Sequence, residues 1–293
     1  MIKKIFLLFL LIINITLQAQ ENKTRAESMA AMAMGKEAEG GSLEEVSIIF
    51  SEAVKISPDF AELYAMWGSL IMKYAVKEKN LDLFGSCFAK LEKAIELKPD
   101  YPETYHFWGI CLAYYGHEKK DDNIVNQSFA KFEKAVELNP SYSEGYLSWA
   151  STLLGYAQQK KDDPLYYKEC IQKYDKALEY SPESIEANSG RGYAYLKLGH
   201  LEKDLVQYRP QLETSFLKAE QLGDQSAAYN LACYYSLIKE KDEAVKWLEK
   251  TIVKNYSKLM GTRIREKIEQ DDDFKNIRRE KKYKEIMDRY FDK

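Results

Sequence analysis

Three histidines, four cysteines and a run of three aspartates are the residues of this 293-residue chain best suited by type to chemistry. His106 and His117 share one helical face but lie eleven positions apart, so they stand about 16 Å apart along the axis, too far to hold one metal ion. Cys87, Cys111, Cys170 and Cys233 are even in number, which in an exported chain favours disulfides. Cys87 and Cys170, however, occupy equivalent places two internal repeats apart, and helices spaced by about 8 to 10 Å keep such a pair beyond the ~7 Å Cα limit of a bridge. Ser128 fills the same slot between them, so four free, packed thiols are expected. Asp271, Asp272 and Asp273 precede a helical pattern, where carboxylates cap the first turn and oppose its dipole, and the further oxygens of a calcium loop are missing. The sequence has no phosphate-binding glycine loop, no His-Glu-x-x-His pair, no Gly-x-Ser-x-Gly elbow and no Cys-x-x-Cys. The expectation is a chain with no catalytic, metal-binding or cofactor-binding residues, and not an enzyme.

The elements that position these side chains follow from an internal period. Phe50-Ser-Glu-Ala53-Val-Lys-Ile-Ser-Pro58 recurs around Leu91, Ala94 and Pro99, around Phe132, Ala135 and Pro140, and around Tyr174, Ala177 and Pro182. The prolines at 58, 99, 140 and 182 step by 41, 41 and 42 residues. A second block follows each proline: Tyr64, Trp67 and Gly68, then Tyr105, Trp108 and Gly109, then Tyr146, Trp149 and Ala150. A fixed period of this length indicates stacked units of one supersecondary type. In the first block a bulky residue, an Ala three later and an aliphatic residue one beyond form the stripe of a helix buried on one side. Proline lacks the N–H that continues the ladder and turns its predecessor away from helical angles, so the helices are predicted to end near Ser57, Lys98, Asn139 and Ser181. In the second block Tyr105, Trp108, Gly109 and Leu112 also share one face, with a small residue where a neighbouring helix must approach.

These residues resemble the tetratricopeptide repeat, whose helix-turn-helix unit carries an aromatic, a large apolar residue and a small one, then Ala and Pro in its second helix. The resemblance covers roughly residues 43 to 255 and implies an all-α fold, an α-solenoid with a right-handed superhelix. The period exceeds the family's ~34 residues by close to two helical turns, and one added turn per helix preserves the phase of the buried face. Phe216 and Ala219 continue the step, after which Ala228, Leu231, Ala232, Tyr235, Ala244 and Leu248 match an unextended hairpin with a turn at Lys239 to Asp242.

The organisation expected is a signal peptide over 1–19, a degenerate first repeat over 20–58, the repeat array over 59–255 and a polar helical cap over 256–293. Lys3 and Lys4 precede an apolar run from Ile5 to Leu17, too short to cross a ~30 Å hydrocarbon core, and Ala19 supplies a small residue for cleavage. Export to the periplasm or outside the cell is therefore expected, with no integral membrane segment in the mature chain. The 43 Lys and Arg against 46 Asp and Glu are interspersed, which gives no field to gather nucleic acid.

The resemblance further implies that the first helix of each hairpin lines a concave groove that takes extended peptides or helices. Carried over position by position, it puts Glu62, Glu103, His106, Tyr114, Glu144, Glu186 and Tyr193 along that groove. The four glutamates recur in phase, either as an acidic rail for a basic segment or as first-turn carboxylates that offset the helix dipole, each contributing ~0.3 to 1 kcal/mol. The Lys, Arg and Asn set by which some family members clamp a terminal carboxylate is missing from these positions. The expected function is an exported scaffold for a protein or peptide partner within an envelope or secretion assembly. The alternative is a carrier of small ligands or glycans that stacks them on Tyr114, Tyr193 and Tyr195.

Overall fold

A computed structural model describes residues 2–255 and 261–291, in which the chain forms fourteen α-helices and one 3-10 turn, with no strand among the described residues. It divides into two compact units, Met1–Pro140 and Ser141–Lys293. The first holds three antiparallel hairpins: α1 (Ile2–Ala38) with α2 (Leu43–Ile56), α3 (Ala61–Glu78) with α4 (Leu83–Leu97), and α5 (Pro102–Lys119) with α6 (Asp122–Leu138). The second holds α7 (Ser143–Gln159) with α8 (Pro164–Tyr180), α9 (Ile185–Leu201) with α10 (Arg209–Gln221), and α11 (Ala227–Leu237) with α12 (Lys241–Asn255). It then adds α13 (Gly261–Gln270), the 3-10 turn Asp272–Phe274 and α14 (Lys281–Phe291).

The helix ends have local causes. The residues ahead of the repeated prolines, Ser57, Lys98, Asn139 and Ser181, are the C-caps of α2, α4, α6 and α8. Ser42 and Glu45 close a capping box on α2, each side chain accepting from the other's backbone N–H at 3.2 and 2.8 Å. Asp121, Asp163 and Ser184 cap α6, α8 and α9. Between the two helices of a hairpin the chain reverses through a left-handed residue, and that residue is a lysine at Lys79, Lys120, Lys161, Lys203 and Lys239. Around Lys120 the Asp121 N–H reaches back to the Gly116 carbonyl at 2.9 Å, which satisfies an otherwise orphaned acceptor. Only residues 238–240 lie between α11 and α12, so Lys241 and Asp242, assigned above to the turn, are helical.

Packing follows the repeated stripe. Phe50, Leu91, Phe132, Tyr174 and Phe216, with Ala53, Ala94, Ala135, Ala177 and Ala219, are all buried. The small residues of the first helices meet the large residues of the second. A Cβ on Gly68, Gly109 or Gly192 would come within 2.9 Å of Leu91, 2.7 Å of Phe132 or 2.8 Å of Phe216, so glycine is what lets these helices approach. Trp67 and Trp149 are buried, whereas Trp108 is only partly buried. Trp67 stacks on Phe50 of the preceding hairpin with ring centres 6.0 Å apart.

The two ends of the described chain differ in how they pack. Ala26, Ala30 and Ala33 of α1 lie in the core, while Phe9, Leu11, Ile12, Ile15 and Leu17 are each more than half exposed. No described helix is long and apolar enough to cross a membrane. At the other end Ile268, Phe274, Ile277, Tyr283, Ile286 and Met287 are buried with α11 and α12, so the C-terminal segment is amphipathic and closes the core through its apolar side. Residues 256–260 and 292–293 of the expected cap lie outside the described residues.

Candidate functional site

Within each unit the first helices of successive hairpins touch one another, α1 with α3 and α3 with α5, then α7 with α9 and α9 with α11. This layer carries the residues that the repeat pattern assigns to a groove. Glu62, Glu103, Glu144 and Glu186 all fall in the first turn of their helices, where a carboxylate opposes the dipole. Their surroundings are unlike. Glu62 is ion-paired with Lys98 at 2.7 Å. Burial disfavours its charge, but the Lys98 hydrogen bond and neighbouring contributions outweigh that and hold the carboxyl below its ordinary range. Glu103 has one carboxylate oxygen buried with no hydrogen-bond partner. Glu144 and Glu186 are exposed.

His106 is buried in the first unit, its ring against Phe107 and Phe132 at centre distances of 5.4 and 6.3 Å. Burial pushes its pKa down to about 4, so the ring is neutral near pH 7. The sequence places His106 along the groove; in the structure α5 packs against α3, α4 and α6, which buries more than one stripe of it, His106 included. Tyr114 is half-buried and stacks on Phe84 with ring centres 5.8 Å apart.

Tyr193, in the second unit, borders a recess of about 720 Å³. Its walls come from Tyr193 and Lys197 of α9, Tyr229, Asn230 and Cys233 of α11, Arg263 and Lys267 of α13, and Asp271 and Asp273. Asp271 accepts from the Asp273 N–H at 3.0 Å, as a cap on the 3-10 turn, and from the Tyr229 hydroxyl. The Lys267 ammonium sits 3.9 Å from the centre of the Tyr229 ring. Burial pushes the Cys233 thiol well up, and burial followed by the Asp271 charge raises Asp273 above the ordinary carboxylate range. Cys233, Asp271 and Asp273 bring three donor atoms within 4.8 Å of one another, a spacing that admits a metal ion. The facing Lys197, Arg263 and Lys267 and the hydrogen bonds already made by Asp271 suit an organic ligand better.

Tyr193, assigned by the sequence to the groove, and Cys233, Asp271 and Asp273, considered there singly, come together in this recess, whereas Lys197, Tyr229, Asn230, Arg263 and Lys267 were not singled out. Tyr229 and Cys233 lie four apart on α11, as do Arg263 and Lys267 on α13, so each pair shares a helix face. What no local pattern gives is that the 3-10 turn packs on α11 and α13 on α12, which brings Lys267 over the Tyr229 ring.

Residues 225–252 match the tetratricopeptide repeat family. PilF of Pseudomonas aeruginosa superposes with a TM-score of 0.58 at 13% identity, over 87% of this chain and 96% of its own. PilW, a type IV pilus biogenesis factor, gives 0.58 at 14% identity over 82% of this chain and 98% of its own. Yeast Tom70 gives 0.53 at 19% identity, over 84% of this chain but 48% of Tom70. No curated protein sequence matches that of this chain. At such identities the likeness is one of fold: the chain is all-α, built of stacked helical hairpins, and carries a tetratricopeptide repeat at residues 225–252.

Proposed function

We propose that this tetratricopeptide-repeat solenoid is an exported, non-enzymatic scaffold that holds a protein or peptide partner on the layer of first helices. The observation that carries the reading is the recess of the second unit. There Tyr193 and Tyr229 offer aromatic faces, Asn230 a side-chain amide and Lys197, Arg263 and Lys267 positive charge, over a volume of about 720 Å³. Tyrosine gives broad contact area with a polar tip at small entropic loss, and a few placed polar groups fix orientation. The fold shared with PilW, a type IV pilus biogenesis factor, supports a place in an assembly.

Export is supported by the N-terminal helix. Its apolar run ahead of Ala19 is exposed at Phe9, Leu11, Ile12, Ile15 and Leu17, and among the described side chains of α1 the core begins at Ala26. Removal of residues 1–19 therefore leaves the described core packing intact. A scaffold rather than an enzyme is supported by the groups in the recess: Asp271 is engaged as a cap and acceptor, and burial keeps the Cys233 thiol protonated. The size of the recess also favours a second reading, a carrier of a small ligand or glycan stacked on Tyr193.

Capture of partners from the exported fraction of the source cells, with the native chain and with a Tyr193→Ala, Lys197→Ala double variant, tests the reading. A specific protein retained by the native chain and lost by the variant is the expected result. Identical capture by both chains overturns the assignment of this face, and retention of a small molecule instead of a protein favours the carrier.

A further inference from the structure

Two of the four cysteines meet inside the first unit. Cys87 on α4 and Cys111 on α5 are fully buried in the same apolar cluster, on helices packed against each other, and the Cys87 thiol is near enough to perturb that of Cys111. The fold explains the meeting. α4 ends at Leu97 and α5 begins at Pro102, so Cys87 lies ten residues before the shared turn and Cys111 nine after it. In antiparallel neighbours these positions are level, each about 14 to 15 Å from the turn at 1.5 Å per residue. The other two thiols are engaged elsewhere. Cys170 bonds to the Tyr167 carbonyl at 3.2 Å on its own helix, and Cys233 lies 3.9 Å from an Asp271 carboxylate oxygen in the other unit.

We propose that Cys87 and Cys111 are a disulfide-forming pair that joins when the chain folds in the presence of a thiol–disulfide oxidant, stapling the second helix of one hairpin to the first helix of the next. With oxidised glutathione as oxidant the step balances. One cysteine thiolate attacks a glutathione sulfur and releases one glutathione thiolate, which takes up a proton. The other cysteine, as its thiolate, then attacks the mixed disulfide and releases the second glutathione. Two thiols thus lose two protons and two electrons, and one oxidised glutathione becomes two reduced molecules. Burial, then the neighbouring Cys87, raises the Cys111 thiol well above its ordinary value. The closed core therefore holds little thiolate, and the bond forms before α4 and α5 close over the pair or while they are open. Once made, it is shielded from reductants by the same burial. Only the occurrence of the bond in the cell leans on the proposed export, since exported compartments are oxidising.

The test is refolding of the full chain from denaturant with oxidised glutathione, followed by denaturation, N-ethylmaleimide labelling and tryptic mapping without reductant. Trypsin cuts after Lys79, Lys90, Lys93 and Lys119 and spares the Lys98–Pro99 bond, so the bridge joins peptides 80–90 and 94–119. The expected result is two maleimide adducts instead of four, with that linked pair two hydrogens lighter than its parts. The thermal midpoint should rise by several degrees over the reduced chain, because a closed loop limits the unfolded ensemble. Cys87→Ser, a change the chain itself carries at the equivalent Ser128, is expected to give three adducts and no link, and Cys170→Ser to keep the link. If circular dichroism finds Cys87→Ser unfolded, Cys111→Ala takes its place. Four adducts on the refolded native chain, or a link through Cys170 or Cys233, overturns the pairing and leaves the export reading untouched.

Discussion

The ammonium of Lys131 lies 3.8 Å from the centre of the Trp108 ring, reaching from α6 across its own hairpin to α5. The arrangement recurs in Lys90 over Trp67 at 3.8 Å and Lys173 over Trp149 at 3.6 Å. One repeat further on, Arg191 and Ser215 take the two positions and meet through an Nε–H to Oγ hydrogen bond of 2.9 Å. Two effects oppose each other in the lysine pairs. The ring face attracts the cation by about 0.5 to 2 kcal/mol, while burial lowers the Lys90 and Lys131 pKa values and so works against the charge. The lysine stems add apolar cover to the rings whatever the charge does.

Removing the ring should therefore matter more than removing the charge. Trp108→Ala is expected to lower stability by about 3 kcal/mol, the low end for an aromatic truncation because Trp108 is only partly buried. Lys131→Met keeps the stem, loses the attraction and escapes the desolvation, so a change below about 1 kcal/mol is expected. Urea unfolding of both variants checks this, and a larger loss for Lys131→Met would mean that charge rather than buried area holds the seam.

Gly109 is a test of close approach. An added Cβ meets the Phe132 ring at 2.7 Å, and Phe132 is itself fully buried with nowhere to swing. Gly109→Ala should destabilise by about 1 to 3 kcal/mol through overpacking, although alanine is the better helix former. At Gly85, exposed on α4, a Cβ meets nothing within 4 Å, and Gly85→Ala is expected to stabilise by up to ~1 kcal/mol. Thermal unfolding that moves both variants in the same direction would contradict the contact geometry.

These contacts separate what the sequence discloses from what it conceals. Proline spacing disclosed the ends at Ser57, Lys98, Asn139 and Ser181 because a missing N–H acts locally whatever the tertiary context. The return to an ordinary hairpin near Ala228 was also legible, and residues 225–252 are the ones that match the family pattern. α11 there spans 11 residues, against 18 for α3 and α5. The burial of His106 was not legible because a helix packed on three sides buries residues off its main stripe, and Thr104, His106, Gly109 and Cys111 are all buried on α5. The level pairing of Cys87 with Cys111 needed the antiparallel turn between their helices and no further period. The recess escaped because α13, which supplies Arg263 and Lys267, lies outside the repeat pattern.

The left-handed lysines were equally hidden, since glycine or asparagine is the residue that marks such a cap. Lys120 has φ of 54°, where a Cβ crowds the following carbonyl by roughly 1 kcal/mol or more. Lys120→Gly should relieve that crowding and raise stability by up to ~1 kcal/mol after the added freedom of the unfolded chain is set against it. Lys120→Val, branched at Cβ, should lower it by more than about 1 kcal/mol. Comparison of the two midpoints decides the matter, and a Gly variant less stable than the Val variant would contradict the left-handed assignment.

His106 links the core to pH. Its folded pKa of about 4 lies below the ordinary unfolded value of ~6.5, so the unfolded chain takes up the proton first as pH falls. The stabilisation is whole above about pH 6.5, shrinks through the window down to about 4 and levels off below it. At 1.36 kcal/mol per pKa unit the whole effect is about 3 kcal/mol, of which about 2 kcal/mol is gone at pH 5. His106→Phe keeps an aromatic ring against Phe107 and Phe132 and removes the titration. The loss of stability from pH 7 to pH 5, measured by urea unfolding, is expected to be about 2 kcal/mol smaller in the variant, since the carboxylates titrate alike in both chains. Equal losses would mean that the imidazole takes up its proton without leaving the folded state, and the burial against Phe132 would have to be given up.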